Sequence, residues 1–313
     1  MKKPDAVEDV IGAFKDANLV ALGERHWARE DSEFRLKLIR HPAFVETVTD
    51  VVIEFANPLY QDLLDRYISC EAVLTTDVRK IWQDTTQPGA WDSPVYEDFL
   101  RAVREVDAVL PEGRRIRVLA GDQLIDWGHS PQPILKDERD RSAASVIERD
   151  VLNRGRKALV LFGAAHIYRN RPGTVVDILR QNPKAKWFVI VPVGGPDLPR
   201  VISAKQASPF KPEFVPLDHS PVGDLYANDL LEKGAKRVKL VDGKPLLVDG
   251  RPVLVPVQVF ESSLEVRQVA DACLYFGNAL PEFVRPPPAL YNGTEYGREV
   301  QRRRATIWAS LRS

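Results

Sequence analysis

The pattern Gly-x-x-His occurs twice in this chain, each time after a short and strongly apolar run. The first copy ends at His26 after residues 19–22, and the second ends at His166 after residues 158–162. Runs this short and continuous are typical of strands buried on both faces. Each strand would end just before a histidine, at the edge where open parallel sheets bind ligands. The two imidazoles therefore predict a site for metal binding or acid–base catalysis.

Carboxylates follow apolar runs in the same way. Glu54 comes directly after residues 50–53 and Asp122 after residues 116–121. A charge placed there is costly unless it is paired or ligated, so Glu54 is the strongest acidic candidate, with helix capping or pairing with an arginine as its structural alternative. Glu24 lies inside the first motif, and Glu30 opens the helix predicted after it, where the helix dipole explains an acid equally well.

Two chemistries are open to these groups. His26, Glu54 and His166 could hold Zn, Mn or Co and leave a position for an activated water. Alternatively, His26 acts without metal as a general base oriented by Glu54 or Glu24, while Arg25, Arg29 or His166 stabilises an oxyanion. In either scheme we expect Asp122, Glu24 and Arg25 to support the site. Four tryptophans near the motifs either pack in the core or line an apolar pocket: Trp27, Trp82, Trp91 and Trp127.

Strand and helix signals alternate along the first two thirds of the chain. Strands are predicted at 18–23, 50–55, 116–121, 157–163 and 186–193, and helices at 30–48, 58–70, 93–109, 138–153 and 173–181. This order predicts an α/β fold with a mostly parallel sheet and helices on both faces. We expect a core domain over residues 1–195 that carries the site, followed by a small β/α appendage over residues 196–313.

The appendage has a different composition. Residues 196–256 are rich in proline, and two Asp-Gly dipeptides, at 242–243 and 249–250, predict a β-hairpin or meander. We expect this segment to form a lid that sets substrate choice; a homodimer surface suits the same composition. Apolar lid contacts would come from Phe210, Phe214 and Tyr226. A basic amphipathic helix is predicted over residues 294–311, with the arginines at 302–304 on a solvated face.

Composition narrows the class of protein. The 313 residues contain 44 Lys and Arg against 44 Asp and Glu, so charge gives no reason to expect nucleic acid or a membrane surface as a partner. No window approaches eighteen uncharged apolar residues. The two cysteines, Cys70 and Cys273, lack metal-type spacing and favour a reduced, cytoplasmic setting. G-x-S-x-G, H-E-x-x-H and P-loop patterns are absent, and a small-molecule or peptide substrate is expected.

The motifs resemble, in type and order, the superfamily that groups erythromycin esterases, the ChaN haem-binding lipoproteins and the TraB/Tiki proteins. Residues 21–26 read ALGERH, residues 51–55 read VVIEF and residues 159–166 read LVLFGAAH. The resemblance covers roughly residues 15–195, with a further piece at 269–277. The paired motifs resemble the Tiki type, which implies metal-dependent peptide hydrolysis with His26, Glu54 and His166 as ligands.

Other branches of the superfamily imply other uses of the same residues. Gly23, Glu24 and Glu30 resemble the erythromycin esterases, which are metal-independent hydrolases with an essential histidine. That pattern has two residues between its Glu and His, whereas here only Arg25 separates Glu24 from His26. The shorter spacing is similar to the ChaN type and implies haem binding. We therefore expect hydrolysis of an ester or amide bond, with haem or small-molecule binding without turnover as the alternative.

Overall fold

The fold is that of a computed structural model, which describes residues 5–129, 138–196, 198, 200–203, 207–231, 236–238, 240–241, 244–245, 247–248, 251–256 and 259–310. Its strands are β1 Leu19–Glu24, β2 Asp50–Ile53, β3 Arg117–Ala120, β4 Ala158–Gly163, β5 Trp187–Val193, β6 Glu213–Pro216, β7 Lys236–Val238, β8 Leu240–Val241, β9 Lys244–Pro245, β10 Leu247–Val248, β11 Arg251–Pro252, β12 Leu254–Pro256 and β13 Ala272–Tyr275.

The helices are α1 Ala6–Gly12, α2 Arg29–Arg40, α3 Pro42–Thr47, α4 Gln61–Ile68, α5 Thr75–Gln83, α6 Pro94–Asp107, α7 Glu138–Asp150, α8 Val175–Leu179, α9 Arg200–Ser203, α10 Ala227–Leu230, α11 Val266–Val269 and α12 Glu295–Ser310. The helix expected over 30–48 is divided at His41, which precedes a proline and is extended, a conformation that ends α2. The sequence pattern had not predicted α5. No described helix is long and apolar enough to cross a membrane.

Seven strands form the central sheet in the order β3-β2-β4-β1-β5-β13-β6. Every neighbouring pair is parallel except β13 with β6, which is antiparallel. Alternate residues of β1 serve two separate cores: Val20 and Leu22 pack with the helices on one face, and Leu19 and Ala21 pack on the other. The predicted α/β class with helices on both faces is confirmed, and double-sided burial explains the continuously apolar strands.

Residues after 195 complete this sheet. β13 and β6 extend it beyond β5, and the Asp271 carboxylate accepts a 2.6 Å hydrogen bond from the Val189 backbone N–H. The Phe188 and Phe214 rings stack across this region with their centroids 6.3 Å apart. The division expected after residue 195 therefore runs through the sheet. Short antiparallel pairs flank each Asp-Gly dipeptide, β8 with β9 and β10 with β11, while the dipeptides themselves lie outside the described residues.

Helix α12 is fastened to the segment that follows α5. Arg303 donates a 2.5 Å hydrogen bond to Asp84, binds Glu299 at 2.6 Å and lies over the ring of Trp127. Arg303 is only 8% exposed, so the expectation that residues 302–304 share a solvated face is wrong at this position, although Arg302 is exposed. The buried guanidinium thus has one carboxylate partner on its own helix, Glu299, and a second, Asp84, on the segment that follows α5.

Replacing Arg303 tests this attachment. We expect Arg303→Gln to lower the free energy of unfolding by about 1–3 kcal/mol, because Asp84 loses the guanidinium that balances its partly buried charge. Urea denaturation measures the change, and Arg302→Gln, which removes an exposed guanidinium from the same helix, should shift the midpoint little. Equal midpoints for the two variants would show that Arg303 does not fasten α12.

Candidate active site

The first Gly-x-x-His motif forms a carboxylate–histidine pair at the end of β1. Glu24 Oε1 lies 2.7 Å from His26 Nδ1 and also accepts a 2.9 Å hydrogen bond from the hydroxyl of Tyr96. Glu24 Oε2 forms a salt bridge with Arg35, whose side chain is buried. Burial lowers the pKa of Arg35 to about 10, so it stays charged at neutral pH. A charged Glu24 favours the proton on His26 Nδ1 and leaves Nε2 as a base.

Glu54 lies beneath the second motif and is 3% exposed. Its Oε2 accepts a 2.6 Å hydrogen bond from the Gly163 backbone N–H, and its Oε1 accepts a 2.9 Å bond from Arg139. Burial on its own would raise the pKa of Glu54, but His166, Arg139, His26 and the Gly163 N–H outweigh burial and lower the pKa to about 2. Glu54 is therefore ionised and a weak base at neutral pH.

The second histidine is held between two carboxylates. His166 lies on a short 3₁₀-helix after β4, with Nδ1 at 3.0 Å from both oxygens of Asp140 and Nε2 at 3.4 Å from Glu54 Oε1. Burial opposes protonation, yet Glu54 and Asp140 together raise the pKa of His166. His166 is thus biased toward the imidazolium form, whereas His26 has the Glu24 carboxylate at its Nδ1.

Arg139 ties Glu54 to Asp122. Its Nε donates to Asp122 Oδ1 at 2.8 Å, and the backbone N–H and hydroxyl of Thr86 donate to the same carboxylate at 3.0 and 2.9 Å. Burial alone would lower the pKa of Arg139, but Asp122 and Glu54 raise it above its ordinary value. Asp122 is buried, so it orients Arg139 and does not face a ligand.

Gly163 marks the point where the two motifs meet. A Cβ on this residue would lie 2.7 Å from His26 Nε2 and 3.3 Å from Glu54 Oε2. The first of these distances is shorter than real Cβ contacts, so a side chain at this position would require the His26 ring to shift. The structure therefore brings His26, Glu54 and His166 together at one edge of the sheet, as the sequence predicted from parallel strand ends.

Two predicted supporting residues lie outside this cluster. The Arg25 side chain turns away to Asp31, which its Nε and backbone N–H contact at 3.0 and 2.9 Å, and it stacks over the ring of Phe276. It neutralises a buried acid and does not face the histidines. Glu30 is buried and accepts the Glu282 backbone N–H at 3.0 Å, so it binds a distant loop, and no side chain of the described residues caps the start of its own helix α2. Arg29 also pairs with Glu282, at the surface.

A pocket of about 850 Å³ opens beside the cluster. It is lined by His166, Arg139, Asp140 and Trp27, and by loop and α12 residues: 86–90, 165, 171–174, Arg304 and Ile307. This size is within the usual range for small-molecule sites. None of its lining residues comes from the described part of 196–256, whereas α12 contributes Arg304 and Ile307, and Phe210 and Tyr226 are exposed elsewhere.

Of the tryptophans near the motifs, two pack in the core and one lines the pocket. Trp82 and Trp91 are buried in the core, where the Trp91 ring meets the His26 ring edge-on with centroids 5.0 Å apart. Trp27 lines the pocket, and its Nε1 donates to the Ala90 carbonyl at 2.6 Å.

Sequence reasoning missed the side chains that complete the cluster. Arg139 and Asp140 open helix α7 within a run of charged residues, which is the composition of an ordinary helix first turn. Tyr96 and Arg35 look like routine members of amphipathic helices. Their partners lie 11 to 85 residues away in sequence, so no local spacing could have indicated them.

The residues do not fit a metal site. Among the described residues, no group of three His, Cys, Asp or Glu side chains is arranged to hold a metal ion. Glu54 already binds the Arg139 guanidinium through Oε1 and the Gly163 N–H through Oε2. A resident guanidinium occupies the place that a cation would need beside the carboxylate. Among the described residues, His26, Glu54 and His166, which the sequence predicted as ligands for Zn, Mn or Co, belong to an ion-pair network with Arg139 and Asp140.

No protein-family model matches the chain, and no curated protein is similar to it in sequence. Solved structures match nearly its whole length. A Bacillus cereus protein has a TM-score of 0.52 at 12% identity, over 90% of this chain and 94% of that one. A succinoglycan biosynthesis protein has a TM-score of 0.52 at 13% identity, over 91% and 94%. An erythromycin esterase in its open conformation has a TM-score of 0.51 at 13% identity, over 88% and 95%.

The chain is similar in fold to an erythromycin esterase. The resemblance seen in the motifs is confirmed at the level of the fold. Because β1 and β4 are parallel, both histidine motifs follow strands that end at the same sheet edge.

The pH dependence of stability tests the charge on Glu54. Because the pKa of Glu54 is lowered from 4.5 to about 2, its contribution is present above pH 4.5 and is lost as pH falls toward 2. We expect Glu54→Gln to lack this component, so that the difference in unfolding free energy from wild type shrinks by on the order of 3 kcal/mol across that range. Chemical denaturation at a series of pH values measures it. Glu282→Gln, at the surface, serves as the control. If the difference in unfolding free energy between Glu54→Gln and wild type does not change with pH, Glu54 is not the ionised group with a lowered pKa.

Proposed function

We propose that this protein hydrolyses an ester or amide bond by general-base catalysis at His26, without a metal ion. The observation that carries the proposal is the 2.7 Å contact between Glu24 and His26 Nδ1, backed by the buried Arg35. A carboxylate on one ring nitrogen leaves the other free to accept a proton, as in other histidine-dependent hydrolases. The shared fold with an erythromycin esterase supports the same class of reaction.

The reaction uses each charged group in a separate role. His26 Nε2 accepts a proton from a water as that water attacks the carbonyl carbon, and the Glu24 and Glu54 carboxylates stabilise the imidazolium that forms. The positive charge of His166, with Arg139 behind it, stabilises the developing oxyanion. The imidazolium then returns its proton to the departing alcohol or amine as the C–O or C–N bond breaks. Glu54 is ionised with a pKa of about 2 and so is not the base.

Haem binding without turnover is the alternative that sequence analysis left open. A haem iron in this pocket would need a free imidazole nitrogen, yet both ring nitrogens of His166, the histidine that lines the pocket, face carboxylates. The pocket therefore fits haem less well than it fits a hydrolytic substrate. An absorption spectrum of the protein titrated with haemin distinguishes the two uses.

Removing the base tests the proposal. We expect His26→Ala to reduce hydrolysis of p-nitrophenyl acetate by at least about a hundredfold, because general-base catalysis typically contributes that much or more. The melting temperature should change little, since the His26 side chain is 42% exposed. His129→Ala, at a side chain 90% exposed, is the matched control and should retain full activity. Retained activity in His26→Ala, or a large drop in its melting temperature, would contradict the proposal.

Chelation tests the metal-free chemistry. Since Arg139 already neutralises Glu54, we expect activity to survive dialysis against a strong chelator and to stay constant when Zn²⁺ or Mn²⁺ is added. Activity that disappears on chelation and returns with a divalent metal would restore the ligand set predicted from the sequence.

A further inference from the structure

Two guanidinium groups line the pocket without a carboxylate partner among the described residues. The Arg171 Nη1 donates to the Ala165 carbonyl at 2.6 Å, and the Arg304 Nε donates to the Pro88 carbonyl at 3.0 Å. The neighbouring arginines differ, because Arg139 is bound to Glu54 and Asp122, and Arg303 to Asp84 and Glu299. The charges of Arg171 and Arg304 are therefore not neutralised by a carboxylate of the described residues and are available to an anionic ligand.

Their backbone hydrogen bonds hold these guanidiniums in place. A guanidinium has five N–H donors, and a single bond to a carbonyl leaves most of them available. Arg304 is further confined by Gly89, where a Cβ would lie 2.6 Å from its Nη2. Gly89 has a φ of +79°, a conformation that favours glycine, so the loop leaves room for the guanidinium. Fixed cations lose less side-chain entropy when they bind an anion.

The other charged groups of the pocket lining already have partners of opposite charge. Asp140 faces His166, whose pKa is raised, and Arg139 pairs with Glu54 and Asp122. Among the described residues of the lining, Arg171 and Arg304 are the charged side chains without such a partner. Trp27, Ala90 and Ile307 add apolar surface beside them. A small molecule with an anionic group and an apolar part is complementary to this lining.

We propose that Arg171 and Arg304 are specificity-determining residues that bind an anionic group of the substrate, a carboxylate or a phosphoryl group, while the scissile bond lies at His26 and His166. The pocket thus selects acidic esters or amides over neutral ones. This inference rests on the proposed function for the identity of the reacting bond, but anion binding at the two arginines does not require turnover.

Binding to an inactive variant tests the anion site by itself. In the His26→Ala background, titration calorimetry with p-nitrophenyl hydrogen succinate should give a dissociation constant that rises at least about tenfold when Arg171→Gln or Arg304→Gln is added. Arg180→Gln and Arg302→Gln remove exposed arginines nearby and should leave the constant unchanged. A constant that none of the four changes, or no measurable binding, overturns the proposal.

Competition identifies the anionic group. Inorganic phosphate and succinate are each titrated against the bound monoester. Competition by either supports the proposal, and the tighter competitor shows whether a phosphoryl or a carboxylate group fits better. Competition by neither overturns it.

Kinetics separates the failure of this inference from failure of the proposed function. The ratio of kcat/KM for p-nitrophenyl hydrogen succinate to that for p-nitrophenyl acetate should fall about tenfold in Arg304→Gln, mainly through a higher KM. Hydrolysis of both esters with no change in this ratio overturns the anion site and leaves the hydrolase intact. Arginine-dependent binding without hydrolysis of either ester supports the anion site and contradicts the hydrolase.

Discussion

A buried carboxylate that must be neutralised organises this site. Glu54 ends the apolar run of β2 and is almost completely removed from water, where an unpaired charge would be very costly. The groups that compensate the Glu54 charge come from distant parts of the chain. They are the Gly163 N–H at the end of β4, the Arg139 guanidinium from α7, and the two histidines. The contacts of these groups with Glu54 fix the relative positions of both histidine motifs and the start of α7 at the sheet edge.

The same constraint gives two similar sequence motifs different chemistry. His26 has Glu24 on Nδ1, and its Nε2 approaches Glu54 across the bare backbone of Gly163. His166 instead lies between Asp140 and Glu54, which together raise its pKa. One imidazole thus has a single carboxylate on Nδ1, and the other lies between two carboxylates that favour its charged form. Arg139 supplies a further cation beside Glu54.

The strands and the convergence at Glu54 were predictable because they depend on short-range signals. Continuous apolar runs indicated β1, β2 and β4, and parallel strands end at the same edge. The rest depends on contacts between distant segments. Arg139 lies in an ordinary charged helix start, and α12 is joined to the pocket region by contacts such as that of Arg303 with Asp84, 219 residues away. The motif placed Arg25 and Glu30 near the site, but the Arg25 side chain turns to Asp31 and Glu30 binds the distant Glu282 backbone.

The protonation states of the two imidazoles test the central claim most directly. Nitrogen NMR of protein labelled with ¹⁵N in histidine reports each ring nitrogen separately. The account predicts that at neutral pH His166 has both nitrogens protonated, while His26 carries its proton on Nδ1 beside Glu24, and that added Zn²⁺ moves neither set of signals. A neutral His166 would contradict the account, and signals from both histidines that shift together as Zn²⁺ binds would show that the sheet edge is a metal site.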